Sequence, residues 1–203
     1  MTRKFLDSAY GHTSPEDLRD FYDDWAASYD AEVGDNGYVT PRRVAEAMAT
    51  HIPLTTTVLD YGCGTGLSGL ALRAVGFKTL DGLDPSEEML EGARSKQVYR
   101  ALDLVDVADP APIPVNMYVA IACIGVISTG AAPPETLHMV MEALRGGGYL
   151  SLSFNDHALE DPAYEGALNK WLDTDRARLL FKEHGPHLPG RDLKSNVYII
   201  QKT

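Results

Sequence analysis

The sequence predicts an α/β fold, a mostly parallel sheet with helices on both faces. Three observations carry this. Short apolar runs at "TVLDYG", "FKTLDGLD", "VYRALDL" and "MYVAIACIGVI" alternate with segments whose apolar residues recur at helical spacing. The run from Met117 is apolar without alternation, as a strand buried on both faces is. The stretch "VLDYGCGTGLSG" puts glycines at 62, 64, 66 and 69 directly after the first run. That is the composition of a turn whose backbone approaches something closely.

The elements follow in order. "SPEDLRDFYDDWAASYD" reads as a helix, with Ser14 as cap, Pro15 in the first turn and Asp17 in a capping-box pattern. Leu18, Phe21, Tyr22, Trp25 and Tyr29 share one face of it. "DAEVGDNGY" then reads as a polar loop. "TPRRVAEAMATHI" is a second helix, with Thr40 as cap and Pro41 at its first position. After the first strand, Leu67, Leu70, Ala71 and Ala74 mark a helix that Gly76 stops. "PSEEMLEGARSK" and "PPETLHMVMEALRGGG" are further helices, the latter with Leu137, Val140, Met141 and Leu144 inward. "YLSLSFN" is a strand and "PAYEGALNKWLD" a helix. "RARLLFKEHG" and "NVYIIQK" read as a final hairpin, with "HGPH" at 184–187 as its turn rather than a metal pair. Ligands of such sheets sit at the carboxyl ends of the strands.

Composition narrows the partners. The 203 residues are 44% apolar and 23% charged, enough for one sizeable core. A formal net charge of -11 repels a phosphate backbone, so no nucleic-acid partner is expected. No apolar run reaches the roughly 20 residues that span a bilayer, and the opening residues lack the apolar core of a secretory signal. A cytoplasmic protein without a membrane partner is expected. The 2 cysteines, Cys63 and Cys123, read as small buried residues, and no metal site is expected.

Gly64-Thr-Gly66-Leu-Ser-Gly69, with Asp84 about 20 residues on, satisfies the dinucleotide pattern. Asp60 argues against that reading. A carboxylate aimed at the glycine turn repels a pyrophosphate and attracts an ammonium or sulfonium cation.

Asp60-Tyr-Gly62-Cys-Gly64-Thr-Gly66, followed by Asp84 at the end of the next strand, resembles the class I S-adenosylmethionine-dependent methyltransferases. "GLDPSEEMLEGAR", "ALDL" and "EALRGGGYLSLSF" are similar to later segments of that family, so the resemblance covers roughly residues 20–203. "YDDWAASYDAEVGDNGYVTPRRVAEAM" and "ACIGVISTG" resemble the subgroup related to the Williams-Beuren region methyltransferase-like proteins.

The resemblance implies a Rossmann-like, seven-stranded, mostly parallel sheet with an antiparallel C-terminal strand. It implies one methyltransferase domain over residues 1–203, with 14–50 as an N-terminal helical lid. The cofactor it implies is S-adenosyl-L-methionine, released as S-adenosyl-L-homocysteine. Gly62, Gly64 and Gly66, with Cys63 between them, would bring the loop backbone to that cofactor. Asp60 would anchor the methionine end, directly or through water, with Tyr29 and Tyr38 close by. Asp84, followed by Pro85, would accept the ribose hydroxyls, unless it only caps the next helix. Met89 would cover the adenine or serve only as core. Asp103 and Leu104 would meet the adenine edge, with Asp106 competing for that place. Cys123 and Ile124 would line the pocket.

The sequence departs from the family where "NMY" at 116–118 replaces an acid and Gly146 replaces a proline. Ala131 and Ala132 stand where the subgroup often has a histidine, which removes one possible acid–base group. No catalytic constellation stands out. His12, His51, His138, His157, His184 and His187 are the candidate bases, and His157 and Asn155 the candidates for touching substrate. Methyl transfer needs a base only when the attacking atom carries a proton. A small-molecule acceptor is expected. The alternatives are an NAD-linked oxidoreductase and a non-catalytic adenosylmethionine-binding protein.

Overall fold

The computed structural model describes residues 5–8 and 14–203, so His12 lies outside the described residues. Seven strands form one sheet: β1 (Val58–Tyr61), β2 (Leu80–Asp84), β3 (Ala101–Leu104), β4 (Ala120–Cys123), β5 (Tyr149–Asn155), β6 (Ala177–Leu188) and β7 (Leu193–Lys202). Their order is β3-β2-β1-β4-β5-β7-β6. β1 to β5 pair in parallel, and β7 runs antiparallel to both of its neighbours. This is the expected Rossmann-like sheet. The strand order reverses between β1 and β4, and this opens a crevice above their carboxyl ends.

The helices are α1 (Pro15–Asp35), α2 (Thr40–His51), α3 (Leu67–Ala74), α4 (Glu87–Lys96), α5 (Glu135–Ala143), α6 (Asp156–Glu160) and α7 (Pro162–Leu172). Ser14 caps α1 by accepting from the Asp17 N–H, as the capping pattern requires. α5 turns Leu137, Val140 and Met141 inward, with Leu144 just beyond its end, onto a core that holds Phe154, Trp171 and Tyr198. α2 and α3 cover the other face, where Val44, Met48, Leu72 and Phe77 pack. Among the described residues no helix is long and apolar enough to cross a membrane.

Four local expectations are corrected. The predicted loop "DAEVGDNGY" is helical as far as Asp35. Val33 is buried against Trp25 and Leu188, which draws about one and a half more turns onto the core, and Asn36 closes the helix by donating to the Glu32 carbonyl. Thr40 is not a cap. α2 starts at Thr40 itself, and its buried hydroxyl bonds His187 and Ser195 instead. "HGPH" is the end of β6, and the turn falls at Pro189–Arg191. Asn155 caps a short helix, α6, by accepting from the Ala158 N–H, where the sequence suggested only a connection.

Candidate active site

The crevice is a cavity of about 630 Å³ over the carboxyl ends of β1, β2 and β4. Its floor is the glycine turn. Gly62 sits at φ 72°, and a β-carbon there would lie 2.4 Å from a methyl of Val126. Only glycine fits both constraints. Gly62 and Cys63 donate to the Leu83 carbonyl at 2.8 and 3.0 Å, which ties the turn to β2. Gly64 also lies at positive φ, and its N–H donates to Asp84 Oδ2 at 2.7 Å.

Asp84 closes β2 and lines the cavity. Its Oδ1 accepts from the Ser86 N–H at 3.0 Å. Ser86, not Asp84, caps α4, accepting from the Met89 N–H at 3.0 Å. Each Asp84 oxygen accepts one backbone bond and keeps acceptor capacity to spare. Burial pushes the carboxyl up to about 6, against the two N–H donors, which lower it.

Asp60 stands behind the turn rather than in it. It is fully buried and absent from the cavity wall. Its Oδ2 accepts from Ser68 Oγ and from the Tyr99 hydroxyl, both at 2.6 Å, while Oδ1 has no partner among the described residues. Burial raises its pKa to about 6 despite those two bonds. The geometry therefore argues against direct anchoring and leaves the indirect form: Asp60 does not line the cavity, while Ser68, which donates to it, does.

Tyr29, Tyr38, Gly62, Cys63, Gly64, Asp84, Pro85, Met89 and Ile124 line the cavity together. Gly66 lies outside the wall, at φ 90° before α3, where it sets the helix entry. Asp103 and Leu104 are exposed on β3 and do not line the cavity. β3 pairs Leu104 with Asp84, so the wall is formed one step later, by Val105, Asp106 and Val107. Cys123 is also displaced. The pleat turns it into the core beside Leu59 and Ile127, and burial holds its thiol well above the usual range.

The roof is α1, which contributes Pro15, Leu18, Arg19, Tyr22 and Tyr29. Polar ties hold it over the turn. Asp30 accepts from Thr65 Oγ1 and pairs with Lys96 Nζ at 2.7 Å, Asp23 accepts from Ser86 Oγ, and Tyr22 donates to the Gly130 carbonyl at 3.2 Å. α2, by contrast, is packed onto the sheet with six of its residues buried and reaches the cavity only through Pro41 in its first turn, so most of the expected 14–50 lid that faces the cavity is α1.

Beyond Tyr38 the wall runs through Ala131, Ala132, Pro133, Met139 and Tyr164. None of the described histidines lines this main cavity. His51 bonds the end of α2, His138 pairs with Glu142 on the surface, and His184 bonds Asn196 on the hairpin. His157 is outside the wall. The described residues contain no cluster of His, Cys, Asp and Glu able to hold a metal.

Sequence reasoning missed Tyr99, Ser68 and Thr65. The available signal was Gly69, a glycine inside a helix. It is explained by Tyr99, whose ring fills the space a β-carbon would need, and not by an approaching pyrophosphate.

Comparison with known proteins agrees with this geometry. A family model described as a methyltransferase domain matches residues 31–197. Human methyltransferase-like protein 27 is 32% identical over 157 residues, 75% of this chain and 63% of that protein. A ribosomal protein L11 methyltransferase from Shewanella sp. (strain ANA-3) is 27% identical over 66% of this chain and 44% of that one. The chain thus spans less than two thirds of the curated relatives it matches. A S-adenosylmethionine-dependent methyltransferase structure from Leishmania major superposes with a TM-score of 0.69 at 18% identity, covering 96% of this chain and 89% of that one. With a family match over most of its length on a site built around the Asp60–Gly66 turn, the chain belongs to the methyltransferase-domain family, of the class I type that this turn resembles.

Proposed function

We propose that this chain is a S-adenosyl-L-methionine-dependent methyltransferase acting in the cytoplasm on a small molecule. The observation that carries the reading is Asp84. It lines the cavity with both oxygens held by backbone N–H groups, and each keeps a lone pair. Two vicinal ribose hydroxyls are donors matched to that arrangement. The remaining wall fits the rest of the cofactor. Pro85, Met89, Val105 and Ile124 offer apolar surface to the adenine, and Gly62 and Gly64 keep the floor clear for the methionine part. About 630 Å³ is within the range of small-ligand sites, roughly 300–1,000 Å³.

The bound cofactor supplies an electrophilic methyl group on its sulfonium. The chain's own residues orient it and exclude water. Tyr22 and Tyr29 close the side under α1, and Ala131 to Pro133 with Met139 form an apolar wall beyond. Carboxylates, Asp106, Asp109 and Glu135, are the ionisable groups in the wall besides Asp84, Arg19, Cys63 and the tyrosines. The roofed cavity and the net charge of -11 favour a small acceptor over a nucleic acid. Free, buried Cys63 and Cys123 suit a reducing cytoplasm.

Calorimetry with S-adenosyl-L-homocysteine tests the cofactor, and its failure to bind overturns the assignment. Cell extract incubated with the enzyme and methyl-labelled cofactor tests the acceptor. Label is expected in the low-molecular-weight fraction, and label confined to ribosomes or protein overturns the small-molecule reading.

A further inference from the structure

Beside the main cavity lies a second one of about 60 Å³, which shares Tyr22, Tyr29, Tyr38, Gly125 and the 128–130 segment with it. That is room for one small functional group, since a single water needs about 10–15 Å³. The polar side chains at its far end are Asn155 and His187, 8% and 6% exposed. They meet there because β5, β7 and β6 end together: Asn155 pairs with Ser195, and Ser195 with Gly185.

Both side chains have their orientation fixed. Asn155 Oδ1 accepts from the Ala158 N–H at 3.0 Å, so the Nδ2 amide takes the other side. It donates to none of the described residues. His187 Nδ1 lies 2.8 Å from Thr40 Oγ1, which lies 3.1 Å from Ser195 Oγ, which in turn accepts from Arg43 Nη1 at 3.0 Å. Arginine only donates. The Ser195 hydroxyl therefore gives its proton to Thr40, and Thr40 gives its own to Nδ1. Running the chain the other way leaves the buried Ser195 proton without an acceptor. The imidazole proton thus sits on Nε2, which has no partner among the described residues. Burial also holds His187 neutral, its pKa lowered to about 4.

We infer that Asn155 Nδ2 and His187 Nε2 form a two-donor subsite for an sp² oxygen, the carboxylate or carbonyl of the methyl acceptor. The inference rests on the proposed function and names the substrate class. Two buried N–H donors reject an analogue that lacks the oxygen, because binding it would leave both unpaired. The subsite lies off the main cavity next to Tyr38, so an acceptor held there by its oxygen extends its attacking atom toward the methyl donor.

The test is NMR on protein loaded with S-adenosyl-L-homocysteine, with 15N in imidazole and side-chain amides. The probes are sodium acetate and acetamide, with ethylammonium chloride as a control that lacks the oxygen. Acetate and acetamide are expected to move the His187 Nε2–H and Asn155 Nδ2 resonances along one shared saturation curve, and ethylammonium to move neither. Asn155→Asp keeps the cap on Ala158 but loses the donors, and should weaken acetate by at least about tenfold. His187→Phe, followed at the Asn155 amide, should do the same. Unmoved resonances, or unchanged acetate affinity in folded Asn155→Asp, overturn the subsite. If the homocysteine product alone moves both resonances and acetate then adds nothing, the oxygen belongs to the cofactor's own carboxylate, and the acceptor subsite is again overturned. Should the product fail to bind at all, the proposed function fails. The acetate titration on free protein still decides the subsite.

Discussion

The Tyr99 hydroxyl accepts from the backbone N–H of Gly69 at 3.1 Å and fills the space a β-carbon on that glycine would take, 2.4 Å away. The fourth glycine of the motif therefore serves a side chain, not a phosphate. Gly69→Ala should push Tyr99 off Asp60 and destabilise the fold by about 1–3 kcal/mol, as overpacking does. Gly166→Ala is the control. It lies in α7 with nothing within 4 Å of the new methyl, and should gain roughly 0.5–1 kcal/mol. Urea denaturation of the two variants checks both signs, and equal midpoints would remove Tyr99 from the account of Gly69.

The same pair marks what was legible in the sequence. Alternating runs fixed the order of strands and helices because each side-chain period is local. The glycine turn and Asp84 were legible because positive φ and a strand-end acid leave a local signature. The partner of Asp60 was not, since Tyr99 is 39 residues away and reaches it only through the fold. Cys123 and Asp103 were misplaced by a single step of pleat or register, which decides the side of the sheet a residue faces. The subsite histidine was hidden for a further reason: "HGPH" looks like a turn, and only pairing with β7 makes it strand.

Asp60 sets a pH dependence. Its pKa is about 6 in the fold against 3.8 for a freely solvated aspartate, raised by burial. The native state holds the extra proton between those values. This contribution to stability is present below 3.8 and is lost as pH rises through 6. Asp60→Asn removes the loss, so its stability relative to the natural protein should improve by roughly 2 kcal/mol from pH 4 to pH 7. His187, whose pKa is lowered to about 4, works in the opposite direction over part of that window, but it does so in both proteins and cancels. Parallel thermal melts at the two pH values measure the difference, and a constant offset would mean that Asp60 does not titrate there.

Asp84 should make cofactor affinity pH-dependent. The ionised carboxylate accepts the two hydroxyls, and burial raises its pKa to about 6. Binding of S-adenosyl-L-homocysteine should therefore strengthen as pH rises from 5 to 7 and level off above. Asp84→Ala should weaken binding more than about tenfold, since a bond to a charged group contributes roughly 1.5–3 kcal/mol. It should also flatten the pH profile. Because Ser86 supplies the cap, α4 should survive in the variant, with unchanged far-UV dichroism. Calorimetry at three pH values separates this from a merely structural loss, which would lower affinity without changing the slope.

The roof should respond to the cofactor as one helix, not two. α1 is held over the cavity by discrete polar ties at Asp23, Asp30 and Tyr22, beside an aromatic cluster of Phe21, Trp25 and Tyr29. Two of those ties end on residues of the cavity wall, Thr65 in the glycine turn and Gly130 after β4, and the third ends on Ser86, next to Pro85 of the wall. A ligand that stiffens the rim stiffens the anchors of α1 as well. α2 has no such dependence, because its apolar face packs on Val58, Leu72 and Val197. A closing element is drawn from the less stable part of a structure. Amide exchange in residues 15–35 should therefore slow on binding S-adenosyl-L-homocysteine, while exchange in residues 40–51 stays as it was. Thr65→Val cuts the tie to Asp30 without touching the sheet. It should speed exchange in α1 of the free protein and weaken the cofactor several-fold, with the denaturation midpoint of the sheet nearly unchanged. If α1 is as protected without ligand as β4 is, it is a fixed wall, and entry to the cavity must be sought elsewhere on its rim.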